Sequence, residues 1–507
     1  MQHSFREIFI KDILKNKILI ISALVITVLG FGFTITNFSI GVDDPAAYHY
    51  LYTNGWGSMI QQGRLLHVLF SRLTGTLTFI PFLNDFIGAA LFFLSALLFC
   101  GLFQYVTGSR LSTAALSVFS GIYLSFSIIS DKFIYNLDVI VTMLSYVCVA
   151  CALIVSYQFV YLQNKKAFVP AVLTLIVGIG AYESFMFLYI CGVFAVFMLK
   201  CIVGQKKLTL KNTLIRGLLF LLILLLAVIC YYSAVFLVQT VTQQTEGFVR
   251  YSIWNSGQNF LDTAKTVCKG FITSMLEFSY LPMLEFTLFS ALGFVLSLGY
   301  AVKRKSILLP ICFLGMFAAN LGIHFVVGYI MYRAGQTFCL FVGFIAMLAV
   351  YSLRNVKPAK VLIPVLAGWL IFVQLADLNM AFYHDYSRYK KEEFVINTVA
   401  TRLVAECDVS KPIVFTNRPS GGYLNSPVVG QVNGNSMMYW GVRAFGDVRS
   451  STMLELFRMH GYYFLQTPTE EQAERGAELS GEMEAWPQEG CIQEFEDIIV
   501  VNFGVKN

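Results

Sequence analysis

The residues best suited to chemistry stand together in the stretch 41–64. Asp43 and Asp44 are adjacent carboxylates, Tyr48, His49, Tyr50, Tyr52 and Trp56 follow them, and Arg64 closes the stretch. A carboxylate can take a proton from a hydroxyl, and an arginine grips a phosphate through two parallel hydrogen bonds. The set suits a site that holds a sugar and a phosphate beside a base. Asp44, slightly ahead of Asp43, is the candidate base, and Tyr48 and Trp56 are candidate surfaces for sugar stacking. The pair also fits a structural role, because an acid before Pro45 suits the unpaired N–H groups of a helix start. The two acids are adjacent rather than alternating, so a metal is not demanded and none is assigned.

These residues must be positioned by a membrane. The chain has 507 residues, 57% hydrophobic and 13% charged, with a mean hydropathy of +0.68. Soluble domains carry roughly 25% charged residues, and here the deficit lies in long uncharged runs. The fold class expected is therefore mainly α, a polytopic membrane protein whose partner is the lipid bilayer. The net charge of +6 does not point to nucleic acid, since the basic residues occupy short loops between apolar runs. Most of the cysteines sit inside those runs and show neither a CxxC pair nor a zinc spacing.

The signs of the loops set the topology. Arg6, Lys11, Lys15 and Lys17 place the amino end in the cytoplasm, and the first span, 18–40, delivers the acidic stretch outside. Residues 60–81 are amphipathic and carry Arg64, His67 and Arg72, which predicts a helix lying along the outer surface with His67 on it. Spans follow over 86–106, 111–130 and up to Lys165-Lys166. The run 168–198 has basic residues at both ends, so it must cross twice, as a hairpin of short helices turning near 181–184 with Glu183 at the outer face. Further spans cover 217–238, then up to Lys303-Arg304-Lys305, then to 329–336, then to 354–360, and finally 361–377. The count is about eleven, with a long external segment over 239–282. Domain one is 1–377. Residues 378–507 form a small α/β extracytoplasmic domain, with a helix over 385–406, strands over 412–416 and 497–503, and a helical pattern over 469–484.

With this topology the outer side collects Asp43, Asp44, Arg64, Asp131, Lys132, Asp138, Glu183, Arg250 and Arg333. Ionisable residues at span edges are functional candidates by default. There is no Walker loop, no GxGxxG after a strand and no cytoplasmic domain for a nucleotide, so no cofactor is assigned. An external site needs a donor already activated in the outer leaflet, and a lipid-linked phosphosugar meets that need.

The chain resembles the serotype-converting O-antigen glucosyltransferases, a multi-span group of the GT-C class. The likeness rests on the acidic pair after the first span, Gly63-Arg64, the aromatic-x-x-Asp of Tyr135 to Asp138, the hairpin centred on Tyr182, and the junction from Asp377 to Tyr389. It departs at Glu183, where the family often has an amide, and at Leu65, where it tends to have proline. The resemblance implies a GT-C-like bundle in the bacterial plasma (inner) membrane. It implies transfer of a hexose, glucose first, from a polyprenyl-phosphate-linked donor to a cell-surface glycan. Arg64, Arg333, Glu183, Tyr182, Asp138 and Tyr135 would bind the donor's phosphate and sugar. Two other classes stay open. A flippase for lipid-linked sugars would place ionisable groups near the bilayer midplane, and a non-catalytic member of a glycan-assembly complex would not need acids beside arginines.

Overall fold

The computed structural model describes residues 4–41, 44–45, 57–74, 80–203, 209–243, 252–255, 257, 259–419, 422–429, 433–438 and 451–504. Asp43, Tyr48, Trp56 and Arg250 lie outside the described residues. Among those residues, ten helices are long and apolar enough to cross a membrane. They are α1 (Lys17–Thr36), α3 (Pro81–Thr107), α4 (Thr113–Ser125, continued by short turns to Phe133), α5 (Val139–Leu162), α7 (Phe185–Val203), α8 (Leu210–Thr242), α10 (Leu281–Arg304), α11 (Leu308–Val327), α12 (Gln336–Leu353) and α13 (Ala359–Glu406). Between them lie α2 (Leu65–Thr74), α6 (Phe168–Ile179) and α9 (Phe260–Met275); α14 (Ser451–Met459) and α15 (Glu470–Leu479) come after α13. Their starts follow local chemistry. Asn16, Ser112, Thr209 and Asn259 cap α1, α4, α8 and α9 with side-chain oxygens, while Pro81 and Pro282 occupy the first turns of α3 and α10.

The expected hairpin over 168–198 divides unequally. Helix α6 has only 12 residues, about 18 Å against a hydrocarbon layer of about 30 Å. Phe168 at its start meets Phe159 at a tilt, 5.0 Å between ring centres, and Gly178 at its end lies against Val149. Val149 sits mid-way along α5, so the break at 180–184 is recessed into the bundle rather than placed at its outer face. The expected surface helix over 60–81 also differs. It is two pieces, Gly57–Gln61 and α2, separated by a turn in which Gly63 has φ +75°, a backbone region that costs other residues roughly 1–2 kcal/mol. This turn is pinned in the notch above α6. Leu66 N donates to Gly180 O at 3.3 Å, and the Tyr231 hydroxyl donates to Gly63 O.

Glycines let the spans approach closely, as expected where lipid competes equally for apolar side chains. Gly315 and Gly322 of α11 receive the rings of Phe194 and Phe187 of α7. The interior is rich in aromatics, with Phe92, Tyr123, Tyr146 and Phe185 in successive ring contacts.

The last span does not end where the tail begins. Helix α13 runs unbroken for 48 residues, joining the expected span 361–377 to the expected helix 385–406. Beyond it, β1 (Ile413–Thr416), β2 (Ile492–Glu494) and β3 (Ile499–Asn502) form a sheet in the order β1-β3-β2, parallel between β1 and β3 and antiparallel between β2 and β3. Thr469 caps α15 in a capping box with Gln472. The tail's core includes Ile40, Ile134 and Tyr135 of the membrane part, so the tail is seated directly on the end of the bundle.

Candidate functional site

The side chains singled out in the sequence converge where α4 ends, α5 begins and the α6–α7 break opens. Asp138, immediately before α5, faces two partners from the pinned turn and α2. Arg64 Nη1 is 3.6 Å from its Oδ2, and His67 Nδ1 is 3.4 Å from its Oδ1. Tyr182, in the break, lies beneath two cations, with the Arg64 guanidinium 5.0 Å and the Lys132 ammonium 4.2 Å from its ring centre. Arg333, in the short turn before α12, donates to the Tyr135 hydroxyl at 3.4 Å. Lys132 is within electrostatic reach of Arg333, Arg64, Asp138 and Asp131. Arg64, Tyr135, Asp138, Tyr182, Glu183 and Arg333 are thus brought into one neighbourhood.

The break that holds Tyr182 and Glu183 is fixed from below. Ser184 Oγ donates to Gln336 Oε1 at 2.7 Å, and Gln336 Nε2 donates to Arg333 O at 3.3 Å. This links the turn carrying Arg333 to the turn carrying Tyr182. Glu183 is buried, and burial pushes its carboxyl upward while its own backbone and Arg64 hold it down. His67 is 2% exposed rather than on the surface as expected, because α2 packs into the notch instead of lying over it. Burial pushes its imidazole down, and Asp138 pulls it back.

Asp44 is described and buried, and its carboxylate is built into a turn. Its Oδ2 accepts Gly41 N–H at 2.7 Å and the Asn136 amide at 2.9 Å. Asn136 stands between Tyr135 and Asp138, so the acidic stretch is tied to the same loop as the cations. Asn136 also donates to Ser39 O at 2.7 Å, and its own carbonyl accepts from Asn84 at 2.8 Å.

Two groups escaped assignment in the sequence. Lys132 and Asp131 were visible there only as loop charges at a span edge. Asp131 is 1% exposed, and it is the one carboxylate among the described residues with both oxygens buried and without a hydrogen-bond partner. It lies within electrostatic reach of Lys132, Arg333 and Asp385. The second group is a buried ion triad on α13. Arg388 donates to Asp385 at 2.9 and 3.0 Å, to Glu392 at 2.7 Å and to Ile40 O at 2.8 Å. Glu392 in turn accepts Ser436 Oγ at 2.7 Å and Met438 N at 3.0 Å. The spacing 385, 388, 392 on one helix face was the available signal.

Chemically, the arrangement offers three cations for a phosphate, an aromatic face beneath two of them, and carboxylates on the adjoining loops. Arginine and lysine are the usual phosphate partners, and their partial burial strengthens each contact. Among the described residues no group of three or more His, Cys, Asp or Glu side chains is placed to hold a metal ion. A family model described as Glucosyl transferase GtrII matches residues 32–352, more than half of the chain and the part that carries this cluster. No curated protein and no solved structure matches significantly.

Proposed function

Because the chain belongs to the Glucosyl transferase GtrII family, we propose that it moves a glucosyl unit from a polyprenyl-phosphate donor to an extracytoplasmic cell-surface polysaccharide. The observation that carries the donor class is the convergence of Arg64, Lys132 and Arg333 at one end of a membrane bundle. A lipid-borne phosphate arrives at that depth, and a soluble nucleotide sugar does not need a recessed site. The acceptor hydroxyl attacks the anomeric carbon, the bond from that carbon to the phosphate oxygen breaks, and its electron pair leaves with the polyprenyl phosphate. Arg64, Lys132 and Arg333 stabilise the charge that develops there. Tyr182 and Glu183 line the recess beside the sugar, and Asp138 fixes Arg64 and His67.

A carboxylate takes the proton of the attacking hydroxyl. The acidic pair 43–44 is one source. Asp131 is the stronger one, since Asp44 Oδ2 already accepts two hydrogen bonds that lower basicity, whereas both oxygens of Asp131 await a donor. The seated tail, whose core reaches Tyr135, provides the surface for the polymer. On this proposal the N-terminus is cytoplasmic, the tail is outside, and the membrane is the bacterial plasma membrane.

The test supplies purified protein with glucose carried either on polyprenyl phosphate or on a nucleotide, together with the polysaccharide from cells lacking the gene. Transfer from the lipid donor alone is expected. Transfer from the nucleotide alone overturns the donor class, and glycan composition unchanged by loss of the gene overturns the acceptor class.

A further inference from the structure

The end of the bundle opposite the candidate site carries a second group of cations that glucosyl transfer does not use. Arg110, just past α3, donates to Val203 O at 3.0 Å, and Arg304, at the end of α10, donates to Ile202 O. Both therefore sit on the last carbonyls of α7. Lys200, one turn earlier on α7, has its ammonium 5.0 Å from the Tyr157 ring centre and 5.4 Å from that of Tyr161. The Arg216 guanidinium of α8 lies 4.3 Å over the same Tyr161 ring. Tyr157 and Tyr161 stack on each other at 5.0 Å. Lys200 is within electrostatic reach of Arg216 and Arg110.

Among the described residues, none of these four cations is joined to a carboxylate by an ion pair. The carbonyl end of α7 and the tyrosine faces offset part of their mutual repulsion, but neither is a full negative charge. A further sign of a missing partner is the Tyr157 hydroxyl, which is buried at 0% exposure with no hydrogen-bond partner. The Nε of Arg304 is buried and unpartnered too. A buried donor left unpaired in this way is costly. An anion with several oxygens would satisfy the donors and the charges together.

The surroundings say where that anion comes from. On α8, Leu214, Ile215 and Leu218 flank Arg216 and are 58%, 49% and 62% exposed. The cations therefore open onto an apolar wall suited to acyl chains rather than onto water alone. We infer that this cluster is a binding site for the phosphate of an anionic phospholipid in the leaflet opposite the candidate site, with the acyl chains against α8.

The experiment reconstitutes the full chain in nanodiscs of phosphatidylcholine with or without phosphatidylglycerol, and counts the lipid retained by native mass spectrometry. Wild type is expected to retain phosphatidylglycerol preferentially. Lys200→Gln and Arg216→Gln should each weaken that preference about fivefold, from about 1 kcal/mol per basic residue at a membrane surface. Tyr157→Phe, which removes only the hydroxyl, should weaken it with no loss of charge, and its packing neighbours keep it folded. The inference is overturned if the double glutamine variant, unfolding at the wild-type temperature in pure phosphatidylcholine, keeps the full preference. Equal stabilisation of wild type by inorganic phosphate in phosphatidylcholine discs overturns the lipid assignment.

Discussion

Replacing Asp44 and Asp131 by asparagine, one at a time, separates a carboxylate that holds the loop from one that reacts. Asp44→Asn keeps size and shape but removes the charge from an oxygen that accepts Gly41 N–H at 2.7 Å and Asn136 Nδ2 at 2.9 Å. A hydrogen bond to a charged group contributes about 1.5–3 kcal/mol and one between neutral groups about 0.5–1.5. The two bonds together should therefore cost about 2 kcal/mol of stability. Asp131→Asn gives up no hydrogen bond, because neither of its oxygens has one. Its stability should be unchanged or higher, while turnover should fall by about 10²–10⁴ if it accepts the proton. The assay pairs thermal unfolding of the detergent-purified variants with initial rates of glucose transfer from polyprenyl-phosphate glucose at saturating donor. Asp44→Asn is expected to unfold earlier and to retain most of its turnover when folded; Asp131→Asn should do the reverse. A stable Asp131→Asn with near wild-type turnover would refute the assignment, and a stable but inactive Asp44→Asn would move the base into the acidic turn.

Three further outcomes follow from the geometry. Lys132→Gln should raise the donor KM about 10- to 150-fold with little change in Tm, the loss of one charge-assisted phosphate contact of about 1.5–3 kcal/mol; an unchanged KM would leave Lys132 as packing against Tyr182. Arg388→Met should destabilise the chain by about 3–5 kcal/mol, because it strands Asp385 and Glu392 in a buried setting, and adding Asp385→Asn and Glu392→Gln should recover most of that; thermal unfolding of both variants checks it. Burial holds the His67 imidazole below its ordinary 6.5, so the unfolded chain binds the proton more readily and stability contributed by this site is lost as pH falls below about 6.5. Thermal unfolding between pH 8 and 5 should show a shallower acid slope for His67→Gln than for wild type, and identical slopes would refute the burial argument.

The long spans were legible because runs of apolar residues between basic loops leave few alternatives in a membrane. The short helix α6 was foreshadowed by the same reasoning, since two basic flanks demand an even number of crossings, but its length was not. The break falls after Ile179 because Gly180 and its neighbours are held by Tyr231 and Leu66 from elements distant in sequence, and hydropathy carries no trace of such contacts. His67 shows the same limit. Its helix has an amphipathic pattern, and that pattern cannot say whether the polar side meets water or a recess lined by Asp138. Arg64, Asp138, Glu183 and Arg333 stand out by residue type and span-edge position, whereas Tyr135 and Tyr182 enter only through the family resemblance. Asp131 and Lys132 were seen at the same edge, yet the burial that sets Asp131 apart is a property of packing. The sheet at the tail was visible as two apolar runs, whereas Ile492–Glu494, the strand that completes it, is short and polar at one end.

The triad on α13 also ties together segments far apart in the chain. Asp385, Arg388 and Glu392 emerge from the ribosome before Ser436 and Met438, which supply two of the hydrogen bonds on Glu392. Ile40, which accepts from Arg388, lies 348 residues before it. Segments on either side of most of the bundle thus meet around the Arg388–Glu392 pair, and Asp131 and Tyr135 lie close to that junction. A chain lacking the tail would leave that ionic centre half satisfied beside Asp131, the carboxylate proposed as the base.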